Sequence, residues 1–394
     1  MNISASPDVI VIGLGALGAA TFHQLAARGV RVLGIDQFSP PHKLGSSHGE
    51  SRITRLAIGE GEAYVPLVRR SHALWRELES TSGEEIFTQT GGLIMAPKDR
   101  LAAHHGKTDF VRRTIEVARR HGVAHEVLGA PDVAARWPQF GLVGDELAYY
   151  EPEAGFLRPE AAIAAQLAAG RAAGGHTRLD EAVLSLETTA SGVSVTTTRG
   201  RYTAARTVVA AGAWLPAFLG RHHRDAWARP LRVYRQVMHW FDASSAAADF
   251  TPQRLPVFIW MFGDAEDDYM YGFPSAGSEP SLKVATEQYA ASTSPEAVDR
   301  NVSVAESNEM YTSRVAGRFP AITGRVLKAR ACLYTVTPDR HFLIDALDDA
   351  PQVLIASACS GHGFKHSAGL GEAIAQRLAG DAAAPDLSFF ARRQ

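Results

Sequence analysis

Near its start the chain carries a continuous apolar run, Asp8-Val-Ile-Val-Ile-Gly13. Uninterrupted short runs of this kind mark strands buried on both faces. Residues 16–28 follow with helical spacing and small residues at Ala16, Ala19 and Ala20, and Val30-Arg-Val-Leu-Gly-Ile35 is a second apolar run. The order predicts strand, helix, strand, a βαβ unit. Further on, Leu67, Val68, Leu74, Trp75 and Leu78 predict an amphipathic helix over 64–80. Helices are also expected over 109–121 and over 159–173, the latter opened by Pro159. Alternation from Ala182 to Thr198, split at Ser191-Gly192, predicts a hairpin. Thr207–Gly212 and 353–358 read as buried strands, 231–275 mostly as strands rich in aromatics, and 369–379 as a closing helix. Residues 39–50, rich in Ser, Pro, Gly and His, read as a loop. The pattern predicts an α/β protein.

Length then divides the picture: 394 residues exceed what one core holds, so about two domains are expected. With 46% hydrophobic and 21% charged residues and a formal net charge of −2, the chain reads as globular, with no basic excess to favour nucleic acid. No apolar run reaches the roughly 20 residues that span a bilayer, and the first residues carry no charged signal region. Two cysteines, Cys332 and Cys359, are too few for a disulfide framework, which points to a reducing, cytoplasmic setting. No metal site is expected.

Gly13-Leu-Gly15-Ala-Leu-Gly18 fits G-x-G-x-x-G in its required context: after a strand, opening a helix, with Asp36 at the end of the next strand. The first glycine allows the tight turn, the second lets a pyrophosphate approach the backbone, and the third lets helix and strand pack closely. The helix N-terminus favours phosphate charge, and Asp36 is placed to accept from ribose hydroxyls. The motif alone does not separate FAD from a nicotinamide dinucleotide.

Four blocks make the chain resemble the monomeric sarcosine oxidase and N-methyltryptophan oxidase family. They are Gly45–Gly61, Tyr271-Gly-Phe-Pro-Ser275 with Lys283 downstream, Ala331–Asp345, and Ser360-Gly-His-Gly-Phe-Lys365. The resemblance implies a Rossmann-like FAD-binding domain (1–85, 150–218 and 325–394). A second α+β substrate domain, built on a largely antiparallel sheet, would comprise 86–149 and 219–324. It implies an FAD-dependent oxidase of a secondary or N-methylated amino acid: hydride transfer to flavin, hydrolysis of the imine product, and reduction of dioxygen to hydrogen peroxide. It also implies a monomer.

Residue by residue, the resemblance makes Cys332 the covalent attachment of FAD and leaves Cys359 in the core. Ser47, His48, Arg52, Gly363 and Phe364 are implied to lie along the cofactor. Arg55 and Lys365 are implied to clamp the substrate carboxylate, Lys365 also bordering the cofactor. Lys283 is implied to promote oxygen reduction as a fixed cation. Tyr271 and Tyr334 would line the site, with His362 near the flavin or substrate. Where sarcosine-acting members carry a histidine, this chain has Glu287, a change expected to alter the pocket's charge and to favour a substrate with an extra cationic group. Trp260–Asp268 is also more acidic than its counterpart. Three alternatives stay open: a flavin dehydrogenase using another acceptor, a non-catalytic flavin-binding protein, and a nicotinamide-dependent dehydrogenase.

Overall fold

The computed structural model describes residues 6–189, 192–263, 265 and 267–393. Val9–Ile12, Ala16–Ala27 and Val32–Ile35 form the expected βαβ unit, the two strands pairing in parallel. They lie in a six-stranded sheet ordered Leu343–Leu347, Ala350–Ser357, Arg206–Val209, Val9–Ile12, Val32–Ile35, His176–Arg178. All its pairings are parallel except the hairpin of Leu343–Leu347 with Ala350–Ser357. The strand cores are buried on both faces, which is why they read as continuous apolar runs.

Helix Ala16–Ala27 packs against both Pro159–Ala172 and Ser367–Ala379 beside this sheet. The crossing is close: a Cβ on Gly371 would lie 2.5 Å from the Ala20 Cβ, and one on Gly170 2.5 Å from the Phe22 ring. The small residues noted in the first helix are therefore a packing requirement. The helix Val65–Ser82 buries Leu67, Val68, Leu74, Trp75 and Leu78 as its spacing predicts.

The second sheet is mixed and has nine strands. Its path runs Ser292–Thr293, Arg232–Asp242, Ser281–Ala285, Tyr269–Phe273, Val257–Met261, Gly92–Pro97, Glu146–Glu151 and Glu126–Gly129, with Val326–Val336 paired to Arg232–Asp242. Its pairings are antiparallel except that of Val257–Met261 with Gly92–Pro97. The sequence boundary expected at 325 falls one residue before Val326–Val336, whose backbone partners all belong to this mixed sheet. The hairpin Val183–Thr189 with Gly192–Thr197 is present, its predicted Ser191 lying outside the described residues. Of the acidic stretch Trp260–Asp268, Asp264 and Glu266 also lie outside them. Among the described residues no helix is long and apolar enough to cross a membrane.

Candidate active site

The turn after Val9–Ile12 assigns the three glycines three different jobs. Gly13 has φ of +88°, and a Cβ there would sit 2.5 Å from the Ala210 carbonyl oxygen. A Cβ on Gly18 would sit 1.8 Å from the Gly13 carbonyl oxygen, so only hydrogen lets the helix start this close to the strand. A Cβ on Gly15 would meet nothing within 4 Å. That opening lies at the N-terminus of Ala16–Ala27, where unpaired N–H groups favour an anion. The cavity there also contains Gly13, Asp36, Ser47, Trp214 and Gly363 in its wall and encloses about 1410 Å³, open to solvent. A dinucleotide fits the donor set and the extended shape.

Asp36 lines this cavity, but its carboxylate already accepts the Leu14 N–H at 2.7 Å and the Phe38 N–H at 2.9 Å. Burial raises its pKa, the two N–H donors opposing. With about four lone-pair positions, the carboxylate keeps capacity for a ribose hydroxyl. His48, expected along the cofactor, is instead buried off the cavity wall. Burial, with Arg52 and Lys283 nearby, lowers its pKa to about 3, so the ring is neutral.

A second, smaller space of about 530 Å³ adjoins the first. The two share Arg52, Tyr334, Gly361 and Phe364 as wall. Arg52 begins the short strand Arg52–Thr54 and donates to the Ser46 and Ser51 carbonyls, both at 2.8 Å. It also reaches two sulfurs, Cys332 Sγ at 3.7 Å and Met238 Sδ at 3.8 Å. Cys332 and Tyr334 alternate along Val326–Val336 and so share a face. The Cys332 thiol is buried behind Gly45 and Ser46, 3.4 Å from the Ser46 carbonyl oxygen. Burial raises its pKa, with Arg52 and Lys283 pulling the other way. Cys359, expected in the core, is half-buried on the wall of the larger cavity. It follows the end of Ala350–Ser357, where a parallel strand opens toward the ligand crevice.

Arg55, Lys365, Tyr271, Tyr334, His362 and Glu287 all line the smaller space. Tyr271 and Tyr334 touch through their hydroxyls at 3.1 Å. The Lys365 ammonium donates to the His362 carbonyl at 2.8 Å, and burial lowers its pKa to about 8, Glu60 opposing. His362 directs Nε2 at the Arg340 carbonyl at 3.0 Å, and burial lowers its pKa to about 3. Arg55 is not a free fork: it donates to the Ala57 carbonyl and, at 2.7 Å, to Glu60. Each terminal nitrogen still keeps a second N–H.

Glu287 corrects its sequence reading. Its Oε1 lies 2.7 Å from His105 Nε2, and its Oε2 accepts from the Tyr289 hydroxyl at 2.7 Å. His105 Nδ1 lies 3.1 Å from Glu60, whose other oxygen holds Arg55. The chain Arg55–Glu60–His105–Glu287–Tyr289 is buried almost throughout. Burial lowers the His105 pKa, but Glu287 and Glu60 together outweigh it and raise the value. Glu287 and Glu60 are held low by their cationic partners against burial. The carboxylate is thus compensated from within, and a substrate cation is not needed to balance it. Gly361, at φ +83°, makes room: a Cβ there would sit 2.5 Å from Glu287 Oε1. Glu60, His104 and His105 were missed because a His-His pair and one glutamate in irregular segments carry no periodic signal.

Lys283 is fully buried in Ser281–Ala285 and lies outside both cavity walls. It donates to the Gly49 carbonyl at 2.7 Å and to Ser51 at its carbonyl, 2.9 Å, and hydroxyl, 3.0 Å. It also faces the Phe273 and Trp240 rings, 4.4 and 5.2 Å from their centroids. Burial and then Arg52 push its pKa well below the ordinary lysine value.

Fold and site together define a dinucleotide-dependent oxidoreductase. The family described as FAD dependent oxidoreductase matches residues 8–377. The chain is 38% identical to a monomeric sarcosine oxidase of Streptomyces avermitilis, covering 99% of this chain and 98% of that protein. It is 33% identical to an N-methyl-L-tryptophan oxidase of Yersinia pestis, covering 97% and 98%. Among solved structures it superposes on NikD, an unusual amino acid oxidase essential for nikkomycin biosynthesis, with a TM-score of 0.83 at 24% identity over 99% and 98% of the two chains. The chain belongs to the FAD-dependent oxidoreductase family.

Proposed function

We propose that the protein oxidises a secondary or N-methylated amino acid and returns the electrons to dioxygen as hydrogen peroxide. The observation that carries this reading is the meeting of the two spaces at Arg52, Tyr334, Gly361 and Phe364, with Arg55 and Lys365 in the wall of the smaller one. FAD, when bound, supplies a two-electron acceptor for an amine C–H bond and a donor for dioxygen. Arg55 and Lys365 hold the substrate carboxylate, Arg55 through the N–H groups that Glu60 and Ala57 leave free. Tyr271 and Tyr334 give the amine an apolar wall with a polar edge. Lys283, with its lowered pKa, is a proton-bearing charge beside the loop at Gly49–Ser51. Its attraction for developing negative charge favours oxygen reduction while it is protonated.

The finer points belong to the same reading. Cys332 is the attachment point of the cofactor, Arg52 and Lys283 partly offsetting the burial that disfavours its thiolate. The six-stranded sheet with its helices is the flavin-binding domain and the mixed sheet the substrate domain. Both cysteines are free, as in a protein working in the reducing cytoplasm, and the relatives' name suggests a monomer. The test is an anaerobic titration of the yellow protein with sarcosine, N-methyl-L-tryptophan and L-proline, followed by air. Bleaching by an N-methyl amino acid and peroxide on reoxidation are expected. Bleaching without peroxide would replace the oxidase by a dehydrogenase, and absence of colour would reopen the nicotinamide alternative.

A further inference from the structure

Lys283 is buried, yet its three ammonium donors meet three acceptors, the Gly49 and Ser51 carbonyls and the Ser51 hydroxyl. All three acceptors come from one tight turn. The Ser51 N–H donates to the Gly49 carbonyl at 2.8 Å across Glu50, whose φ is +71°. A three-residue turn with a left-handed centre that is not glycine is rare and strained. Strain of this kind, about 1–3 kcal/mol, persists only where the surroundings over-determine the backbone.

The surroundings here are charged. Glu160, in the first turn of Pro159–Ala172, accepts the Gly49 N–H at 2.6 Å and the Glu50 N–H at 3.3 Å. From the side of the mixed sheet, Trp240 Nε1 donates to the Glu50 carboxylate at 2.9 Å, and Lys328 pairs with it. Lys283, from the same sheet, holds the carbonyls. One peptide group therefore joins two ions. The Gly49–Glu50 peptide turns its N–H to Glu160 and its C=O to Lys283, so its dipole runs between an anion and a cation in the favourable sense.

The groups facing Lys283 act in opposite directions. Burial and then Arg52 disfavour the ammonium, while Glu160, Glu50 and Cys332 favour it, Glu160 most among them. His48 is neutral, and Lys328 shares the Trp240 ring with Lys283, the two nitrogens 4.9 and 5.2 Å from its centroid.

We propose that Glu160 is the counter-ion and positioning residue of Lys283, acting on it through the Gly49–Glu50 peptide. The inference rests on the proposed part of Lys283 in oxygen reduction. Glu160 itself lies outside both cavity walls, so it works on the ammonium and not on the substrate.

Stopped-flow reoxidation of the reduced holoenzyme by dioxygen, followed across pH, tests this. Glu160→Gln keeps the size of the side chain and removes its charge. The pH at which reoxidation falls to half should drop by about one unit, the low end for loss of a nearby opposite charge. Anaerobic bleaching by an N-methyl amino acid should stay within about twofold, because the lysine acts on the other half-reaction. Glu160→Asp, which keeps the charge, should retain the wild-type midpoint. In the Lys283→Met enzyme, Glu160→Gln should change reoxidation by less than about twofold, as expected of a residue that acts through the lysine. An unmoved midpoint in Glu160→Gln, equal shifts in the Gln and Asp variants, or multiplied effects in the double variant would each overturn the counter-ion and leave the oxidase reading intact. Lys283→Met enzyme that reoxidises at the wild-type rate would overturn the oxygen role of Lys283 and this inference with it.

Discussion

Replacing Glu287 by Gln isolates the charge that holds His105. The substitution keeps the shape, the Tyr289 contact and the volume, and removes the anion 2.7 Å from His105 Nε2. One charge-assisted bond inside a buried network is lost, about 2–3 kcal/mol. Full breakage of a buried pair would cost more, about 3–5 kcal/mol, but Glu60 remains as a second acceptor at 3.1 Å. Unfolding entropy of about 2.1 cal/mol/K per residue over 394 residues turns this deficit into a melting shift of about 3 °C. The deficit depends on pH. Below about 6.5 His105 is protonated in both folded and unfolded chains and the attraction contributes fully; it fades as pH rises through the raised folded pKa. Glu287 and Glu60, both depressed, stay ionised from pH 5.5 to 9 and add no slope there. Melting of wild type and Glu287→Gln holoenzyme at one scan rate between pH 5.5 and 9 should show the largest gap at the acid end. A gap that is flat, or that widens toward pH 9, would refute a protonated His105.

Three further outcomes follow from the same geometry. Lys283→Met should slow reoxidation of the reduced enzyme by about 10²–10³-fold, the scale of one lost electrostatic donor, and leave anaerobic bleaching much less affected. In stopped-flow traces, wild-type reoxidation should also weaken as pH rises through a pKa below the usual 10.5. Cys332→Ser should release the yellow colour on acid precipitation, whereas Cys359→Ser should keep it in the pellet; retention in both variants would remove Cys332 as the attachment point. Gly15→Val should lower flavin content with little loss of apoprotein stability, because its Cβ faces open space, while Gly18→Ala should destabilise the apoprotein itself, its Cβ falling 1.8 Å from the Gly13 carbonyl oxygen. Calorimetry of the two apoproteins separates these costs.

The sequence was most legible where one local rule decides the structure. Strands buried on both faces read as apolar runs, and Val9–Ile12 and Arg206–Val209 lie where those runs lie. Val65–Ser82 follows from its spacing because one face is wet and the other packed. One end of the mixed sheet was harder. Gly92–Pro97 is buried at every position and Glu126–Gly129 at none, so neither shows the alternation that marks a half-exposed strand. Resemblance carried the site further than periodicity could, since Arg55, Tyr271, Tyr334, His362 and Lys365 do converge on one space. It could not supply the states of those groups, which depend on neighbours distant in sequence.

His105 shows what that dependence means for the site. A glutamate at 287, taken alone, adds an anion to a substrate pocket, and a histidine at 105, taken alone, is an unremarked residue in a loop. Brought within 2.7 Å across 182 positions, they form a buried pair in which the carboxylate raises the ring's pKa, and the ring is also tied, through Glu60, to Arg55. The replacement of an imidazole by a carboxylate at 287 is therefore answered by an imidazole delivered from another segment. The pocket keeps a ring able to carry a proton, but that ring stands in the wall that the smaller space shares with a neighbouring cavity lined by Thr286 and Tyr289. A change that looks in sequence like an added pocket anion is, in the fold, a carboxylate already engaged by a ring from a distant segment.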